Sequence, residues 1–335
     1  MFTKKYFISS FIVILILIAG IVFKVSAREK YNYYIHINSK GSFYNLYING
    51  IEIEHRKSVK HETITLPVNQ SLVSDENKIS ISYMPLVDKL GKNKYVIGPK
   101  EDFYIDVSLE RLSLKSRDKS NVSILSINYA MDSGAIISSE KTINGSERIY
   151  QDTGLASDKK IVIGEGKFYS SFTDPMNSFT VESSFFVSDD FPEFPWENGI
   201  EIQVDKNLRQ KLRAAYIDLY NDIYNGKFDD VYNKLEPVWE HGSVSLHLGS
   251  AQKFVRDNNV KEKYTRVRSD GAILKPIQLS DNPSGDVIEV LGGGKLVRIL
   301  PVPIEWEFPN TNKGRIAEVV FYMDQDGELK PGAVF

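Results

Sequence analysis

The chain has 335 residues, with 41 Lys and Arg against 44 Asp and Glu, 42% hydrophobic residues and no cysteine. The length accommodates about two domains, and the composition is that of a folded globular chain. Absent cysteine excludes disulfides, thiolate metal sites, thiol nucleophiles and a cysteine-linked lipid anchor, while a net charge of −3 argues against a nucleic-acid partner.

Residues Phe7 to Phe23 form an apolar run broken only by Ser9 and Ser10, preceded by Lys4 and Lys5 and followed by Lys24-Val25-Ser26-Ala27. A basic start, a long apolar centre and a small-x-small ending are the parts of a secretory signal. The run of 17 residues exceeds the usual apolar centre of about 7–15 and reaches the short limit for a membrane span. Residues 1–27 are therefore expected to be a cleaved signal peptide or an uncleaved anchor in the inner membrane. Their removal takes three lysines and no acid, leaving 38 basic and 44 acidic residues and a net charge of −6. A large exported chain without disulfides fits a bacterial cell envelope, either periplasmic or anchored with its C-terminal bulk outside the cytoplasm.

Residues 28–188 read as a β-sandwich, or two small ones, because period-two alternation recurs between turn residues. Tyr33-Ile35-Ile37 and Tyr44-Leu46-Ile48 each place one apolar face, and Asn49-Gly50 then predicts a type I′ hairpin before Ile51. Further strands are expected at 63–68, 79–83, 103–109, 122–129, 161–163, 167–172 and 179–187. Lys115 to Lys119 marks an exposed loop or an internal boundary. The tyrosines here, with Tyr33, Tyr44 and Tyr47 foremost, are candidates for a binding platform or simply for the two faces of a sheet. No two of His36, His55 and His61 have metal-ligand spacing, and no metal or cofactor is expected.

Residues 189–204 read as a linker, since Pro192 and Pro195 keep the chain extended and Phe194 and Trp196 can pack on a neighbour. Beyond it the period changes. Leu208, Leu212, Ala215, Tyr216, Leu219 and Ile223 form one helical stripe, with Asp205 as N-cap and Asn225-Gly226 as terminator. A shorter helix with Phe228, Val231, Leu235 and Val238 follows, then a third over 251–257. Strands are expected at 272–279, 287–291, 296–300, 304–308 and 316–323. Gly292-Gly293-Gly294-Lys295 reads as a hairpin turn, not a phosphate loop, because no helix-opening Ser or Thr follows the lysine. Asp326-Gly327 reads as another turn.

The order of helices followed by antiparallel strands, with Ala214-Ala215-Tyr216 through Gly226-Lys227-Phe228-Asp229-Asp230-Val231 and Phe321-Tyr322-Met323-Asp324-Gln325-Asp326-Gly327-Glu328-Leu329, resembles the NTF2-like superfamily over about residues 205–335. That resemblance implies a cone-shaped α+β domain whose curved sheet and first helix enclose a pocket, catalytic in some members and purely binding in many. Candidate catalytic residues are Asp218, His241 and His247, since a histidine and a carboxylate facing one cavity form an acid–base pair. Both histidines fall in an apparent loop where solvation is the ordinary outcome. Trp196 and Trp239 join the tyrosines as binding candidates. Lys261, Lys263, Arg266 and Arg268 form a basic run, expected as a solvated strand face or a contact for an anionic partner.

No G-x-S-x-G, H-E-x-x-H or G-x-G-x-x-G motif occurs. The fold class is thus β-rich plus α+β behind an N-terminal membrane or signal helix. The function expected is a non-enzymatic envelope protein that binds another protein, with toxin immunity as its specific form. An NTF2-like small-molecule-binding or enzymatic domain is the alternative, and an envelope assembly factor is the third.

Overall fold

A computed structural model describes residues 29–91, 94–97, 102–130, 135–143, 149–152, 162–169, 175–187, 189–311 and 313–334. The apolar run at 7–23 lies outside the described residues, and no helix among those described is long and apolar enough to cross a membrane. The chain is β-rich, with antiparallel sheets and a few helices.

The first twelve strands are β1 (Tyr31–Lys40), β2 (Ser42–Ile48), β3 (Ile51–Ser58), β4 (Glu62–Pro67), β5 (Asp75–Gly91), β6 (Lys94–Ile97), β7 (Tyr104–Ser113), β8 (Lys119–Ala130), β9 (Ala135–Ile143), β10 (Ile149–Asp152), β11 (Val162–Tyr169) and β12 (Pro175–Val187). They form two sheets, in the orders β10-β9-β8-β7-β1-β4 and β11-β12-β5-β2-β3, with β6 paired to β5. Strict alternation explains the layering: Tyr33, Ile35 and Ile37 of β1 and Ile105, Val107 and Leu109 of β7 are buried, while their neighbours are half-exposed. These side chains meet Leu46, Ile81, Val181 and Phe185 of the other sheet in one core, a sandwich-like arrangement.

Asn49 and Gly50 have φ of 52° and 77°, as the expected I′ turn requires. The Asn49 side chain reinforces it by donating to Ser71 O and Asn77 Oδ1, both at 2.8 Å. Residues 113–119 turn from β7 into its neighbour β8. The described parts of the two segments expected at 161–163 and 167–172 belong to one strand, β11, with 161 and 170–172 outside the described residues, and β6, β9 and β10 are additional to those expected.

Residues 189–204 contain no helix or strand. Helix α1 (Lys206–Tyr224) follows, capped by Asp205, whose carboxylate accepts from Leu208 N at 2.7 Å, and it ends where Gly226 takes a φ of 70°. Leu208, Leu212, Tyr216, Leu219 and Ile223 bury its apolar stripe. Helix α2 (Phe228–Ser245) is shorter than α1 by one residue, 18 against 19, and runs through Pro237. Helices α3 (Ala251–Asp257) and α4 (Val260–Lys263) complete the set.

The remaining strands are β13 (Ile273–Leu274), β14 (Val287–Leu291), β15 (Leu296–Leu300), β16 (Glu305–Glu307), β17 (Gly314–Ile316), β18 (Val319–Met323) and β19 (Leu329–Val334). They make a four-stranded sheet, β14-β15-β18-β19, and a small one, β13-β16-β17. The strand expected at 272–279 shrinks to two residues, because Pro276 lacks the N–H a ladder needs. The strand expected at 316–323 divides, since Ala317 turns its N–H to Ile304 O and sends the two halves to different sheets. Tyr216, Leu235, Trp239, Ile299, Trp306 and Phe321 are among the residues of the second core.

A third cluster joins the two parts: Ile51 from β3, Phe194 and Trp196 from the intervening segment, and Leu291, Leu296, Val320 and Ala333 from the four-stranded sheet. At its edge the 49–50 turn meets the 292–294 turn, with Gly292 N donating to Gly50 O at 3.0 Å. A Cβ on Gly50 would stand 2.7 Å from Gly292 Cα, at a φ that L residues avoid. Gly50→Ala should therefore cost about 2 kcal/mol or more, read as a lowered midpoint of urea unfolding. Gly293→Ala, which has a similar φ but open space around it, should cost less in the same measurement.

Candidate functional site

Helices α1 and α2 and strands β18 and β19 leave a cleft of about 1070 Å³ between them. Its lining includes the apolar Leu219, Phe321, Leu329 and Pro331, and the charged Asp218, Asp222, Lys234 and Glu328. Lys234 of α2 reaches across to α1, pairing with Asp218 at 2.5 Å and with the buried Asp222. Burial opposes charge on the lysine, but hydrogen bonds to the two aspartates outweigh it and hold its pKa above the ordinary value. A lysine held protonated is a fixed cation, unsuited to act as a base or nucleophile at neutral pH. The Asp218 side chain, 65% exposed, faces this cation and solvent. The cleft thus combines apolar surface with charge: Lys234 is paired within it, while Lys227 and Asp230 at the start of α2 have no salt-bridge partner among the described residues.

The histidines lie elsewhere. His241 belongs to α2, not to a loop, and is 9% exposed rather than solvated. Its Nδ1 is 3.1 Å from Glu193 O and its Nε2 is 3.0 Å from Gln70 O, so it bridges the helix, the 189–204 segment and the first part of the chain. Burial pushes its pKa below the ordinary 6.5, against the pull of the two carbonyls. His247, at a φ of 58°, places Nε2 3.1 Å from Tyr31 O. Nearby, Asn69 Nδ2 donates to Ser245 O at 3.0 Å, so the end of α2 is tied repeatedly to β1 and the turn before β5. Asp218 pairs with Lys234 while both histidines face backbone carbonyls; no acid–base pair forms from the three.

The aromatic candidates divide similarly. Tyr33 is buried and donates its hydroxyl to Asp189; burial and that carboxylate raise its pKa. Tyr44 is buried in the core of the two sheets. Trp239 is buried among Phe228, Tyr232 and Tyr264, 5.7 Å from the last in an edge-on pair. Trp196 stacks on Phe194 at 4.7 Å between ring centres, and both pack in the joining cluster with Tyr47 at its side. Tyr47 and Trp196 also line a groove of about 790 Å³ between the second sheet and the β14–β15 turn. Of the five aromatic candidates, these two border a common cavity.

The most charged buried site was not among the candidates. Arg298 of β15, 4% exposed, sits inside the apolar strand Leu296–Leu300. Its guanidinium meets Glu289 of β14 at 2.5 Å, Glu318 before β18, and Glu52 of β3 across the joint. Burial works against this charge, yet Glu52 and Glu289 outweigh it and raise the arginine's pKa further. Burial raises Glu289 above the usual carboxylate range, with Arg298 compensating only in part. Glu52 ends below that range, because His55 at 3.2 Å and Arg298 together overcome its desolvation. An arginine within an apolar strand was the one local signal, and its three partners lie up to 246 residues away. Among the described residues, no three metal-ligating side chains stand together.

No protein-family model matches this chain, and neither a curated protein nor a solved structure does.

Arg298→Met should lose about 3–5 kcal/mol of unfolding free energy at neutral pH, because three carboxylates are left buried without their cation. The loss should shrink as pH falls, since protonation of those carboxylates relieves it. Adding Glu52→Gln and Glu289→Gln should restore most of the stability in the same denaturation assay. His241 gives a second pH signature. Its folded pKa is depressed, so its contribution is present above pH 6.5 and is lost as pH falls through the folded value. His241→Asn should flatten that part of the stability-against-pH curve.

Proposed function

We propose that this is an exported, non-enzymatic cell-envelope protein that acts by binding another protein, and that the cleft between α1, α2 and β18–β19 receives part of its partner. The cleft carries the reading: apolar surface lies beside the paired Lys234, Asp218 and Asp222, so a segment can cover that cluster without stranding its cation, while Lys227 and Asp230 at the start of α2 are open to charges on the segment. The joint supports it, because an ion cluster, a third apolar cluster and helix-end contacts hold the cleft in fixed relation to the two sheets. The leader at 1–27, as signal peptide or anchor, accounts for export to the periplasmic side, and toxin immunity is the specific form proposed.

The size of the cleft supports a second reading. Small-molecule sites occupy about 300–1,000 Å³, and this cleft is of that order. On that reading residues 205–335 are an NTF2-like domain, with its ligand between helices and sheet and the preceding β-sandwich domain as a positioning module.

Ala214 is exposed at the cleft wall, and a bulky side chain there fills the space without entering the core. The full chain, solubilised from cell envelopes and captured by an affinity tag, should retain a protein in stoichiometric amount. Ala214→Trp should reduce that recovery about tenfold while leaving the thermal midpoint unchanged. Equal recovery would reject the cleft as the partner site. A small molecule detected by native mass spectrometry and lost in the variant, with no protein retained, would establish the second reading instead.

A further inference from the structure

The basic run is set apart from both the cleft and the joint. Within residues 251–268, six cations stand against Asp257 and Glu262, a local charge of +4 in a chain of −3. Its members are not equivalent. Lys253 and Arg256 pair with Asp257 at 3.3 and 2.9 Å, and Arg268 shares Asp270 with Arg315. Lys261, Lys263 and Arg266 are exposed, and among the described residues none of them has a salt-bridge partner.

Two of these three are nevertheless held in place. The Arg266 guanidinium lies 4.7 Å above the centre of the Tyr224 ring at the end of α1, and Lys261 Nζ lies 5.8 Å from that of Phe228. A ring positions a cation without neutralising it. The Tyr224 ring beneath Arg266 is itself 42% exposed and adds apolar surface to this face, whereas Val267 and its bridge partner Ile273 alternate to the other side of the hairpin. Of the expected solvated strand face, the solvent exposure holds, but Lys261 and Lys263 stand on the short helix α4 rather than on a strand. Residues 266–268 form one arm of a hairpin whose return arm is 272–274, closed by Leu274 N donating to Arg266 O.

We propose that this face docks an acidic, partly apolar segment of a partner protein. Carboxylates on that segment would take the unneutralised cations, with Arg266 offering a preset fork, and its apolar residues would cover the exposed part of the Tyr224 ring. The acids around the patch select against a uniformly anionic surface. Glu262 lies between the two lysines, and Asp257 and Asp270 beside them already take Lys253, Arg256 and Arg268. A bilayer of anionic headgroups or a nucleic-acid backbone would meet these carboxylates, whereas a segment with spaced carboxylates can avoid them. The inference rests on the protein-binding reading but uses a different surface from the cleft.

The test is fluorescence anisotropy of the full chain in non-ionic detergent with a labelled peptide of alternating Glu and Val. Binding should weaken with added salt, and Lys263→Glu with Arg266→Glu should reduce affinity about tenfold or more. Lys263→Glu alone, at an exposed residue without a partner, covers the case in which the double variant folds poorly and should show a smaller loss of the same sign. Ala214→Trp should bind the peptide as the parent does, so failure of the cleft and failure of this face are read separately. Equal affinity of parent and charge-reversed chains would overturn the proposal. So would stronger competition by mixed micelles containing phosphatidylglycerol, or by duplex DNA, than by unlabelled peptide.

Discussion

One guanidinium carries the joint of this molecule. Arg298 is buried with Glu52, Glu289 and Glu318, which belong to three separate stretches of chain and to both halves of the structure. A buried ion pair seldom adds much net stability, but it penalises arrangements that separate its members. Here separation of the halves would leave Arg298 without Glu52 and Glu52 without its cation, so the charges favour one relative placement. The apolar cluster around Trp196 and Leu296 supplies the burial that the charges do not.

The same joint accounts for residues whose chemistry invites a catalytic reading. His241 faces two backbone carbonyls from different segments, and His247 faces a third. Each satisfies a buried or half-buried acceptor at the place where α2 meets β1 and the turn before β5. Asp218, the carboxylate that could have completed a pair, is engaged by Lys234 in the cleft. The histidines thus serve packing and hydrogen bonding, and on the proposed reading recognition falls to the cleft and to the basic, aromatic-backed face around Arg266.

Much of the local structure could be read in advance for identifiable reasons. Asn49-Gly50 is a hairpin because both residues accept positive φ, and Asp205 caps α1 because its carboxylate can reach the Leu208 N–H. Strands β14 and β15 have the expected bounds because branched and apolar residues run between clear turn signals. The reading failed where tertiary context overrode pattern. Pro276 ended a strand that hydrophobicity alone would continue, and Ala317 diverted one apolar run into two sheets. Gly242 suggests a loop around His241, yet the packed helix continues through that glycine.

The sequence by itself determined the elements: which stretches alternate, which carry a helical stripe, where turns fall, and that no thiol chemistry exists. Those properties depend on neighbours within a few residues, and their physics is local. Only the tertiary structure decided that Arg298 would find Glu52, that Asp218 would face a lysine rather than a histidine, and that Arg266 would lie uncompensated on Tyr224. Such pairings join residues distant in the chain, and a charge carries no local mark of the partner that will neutralise it.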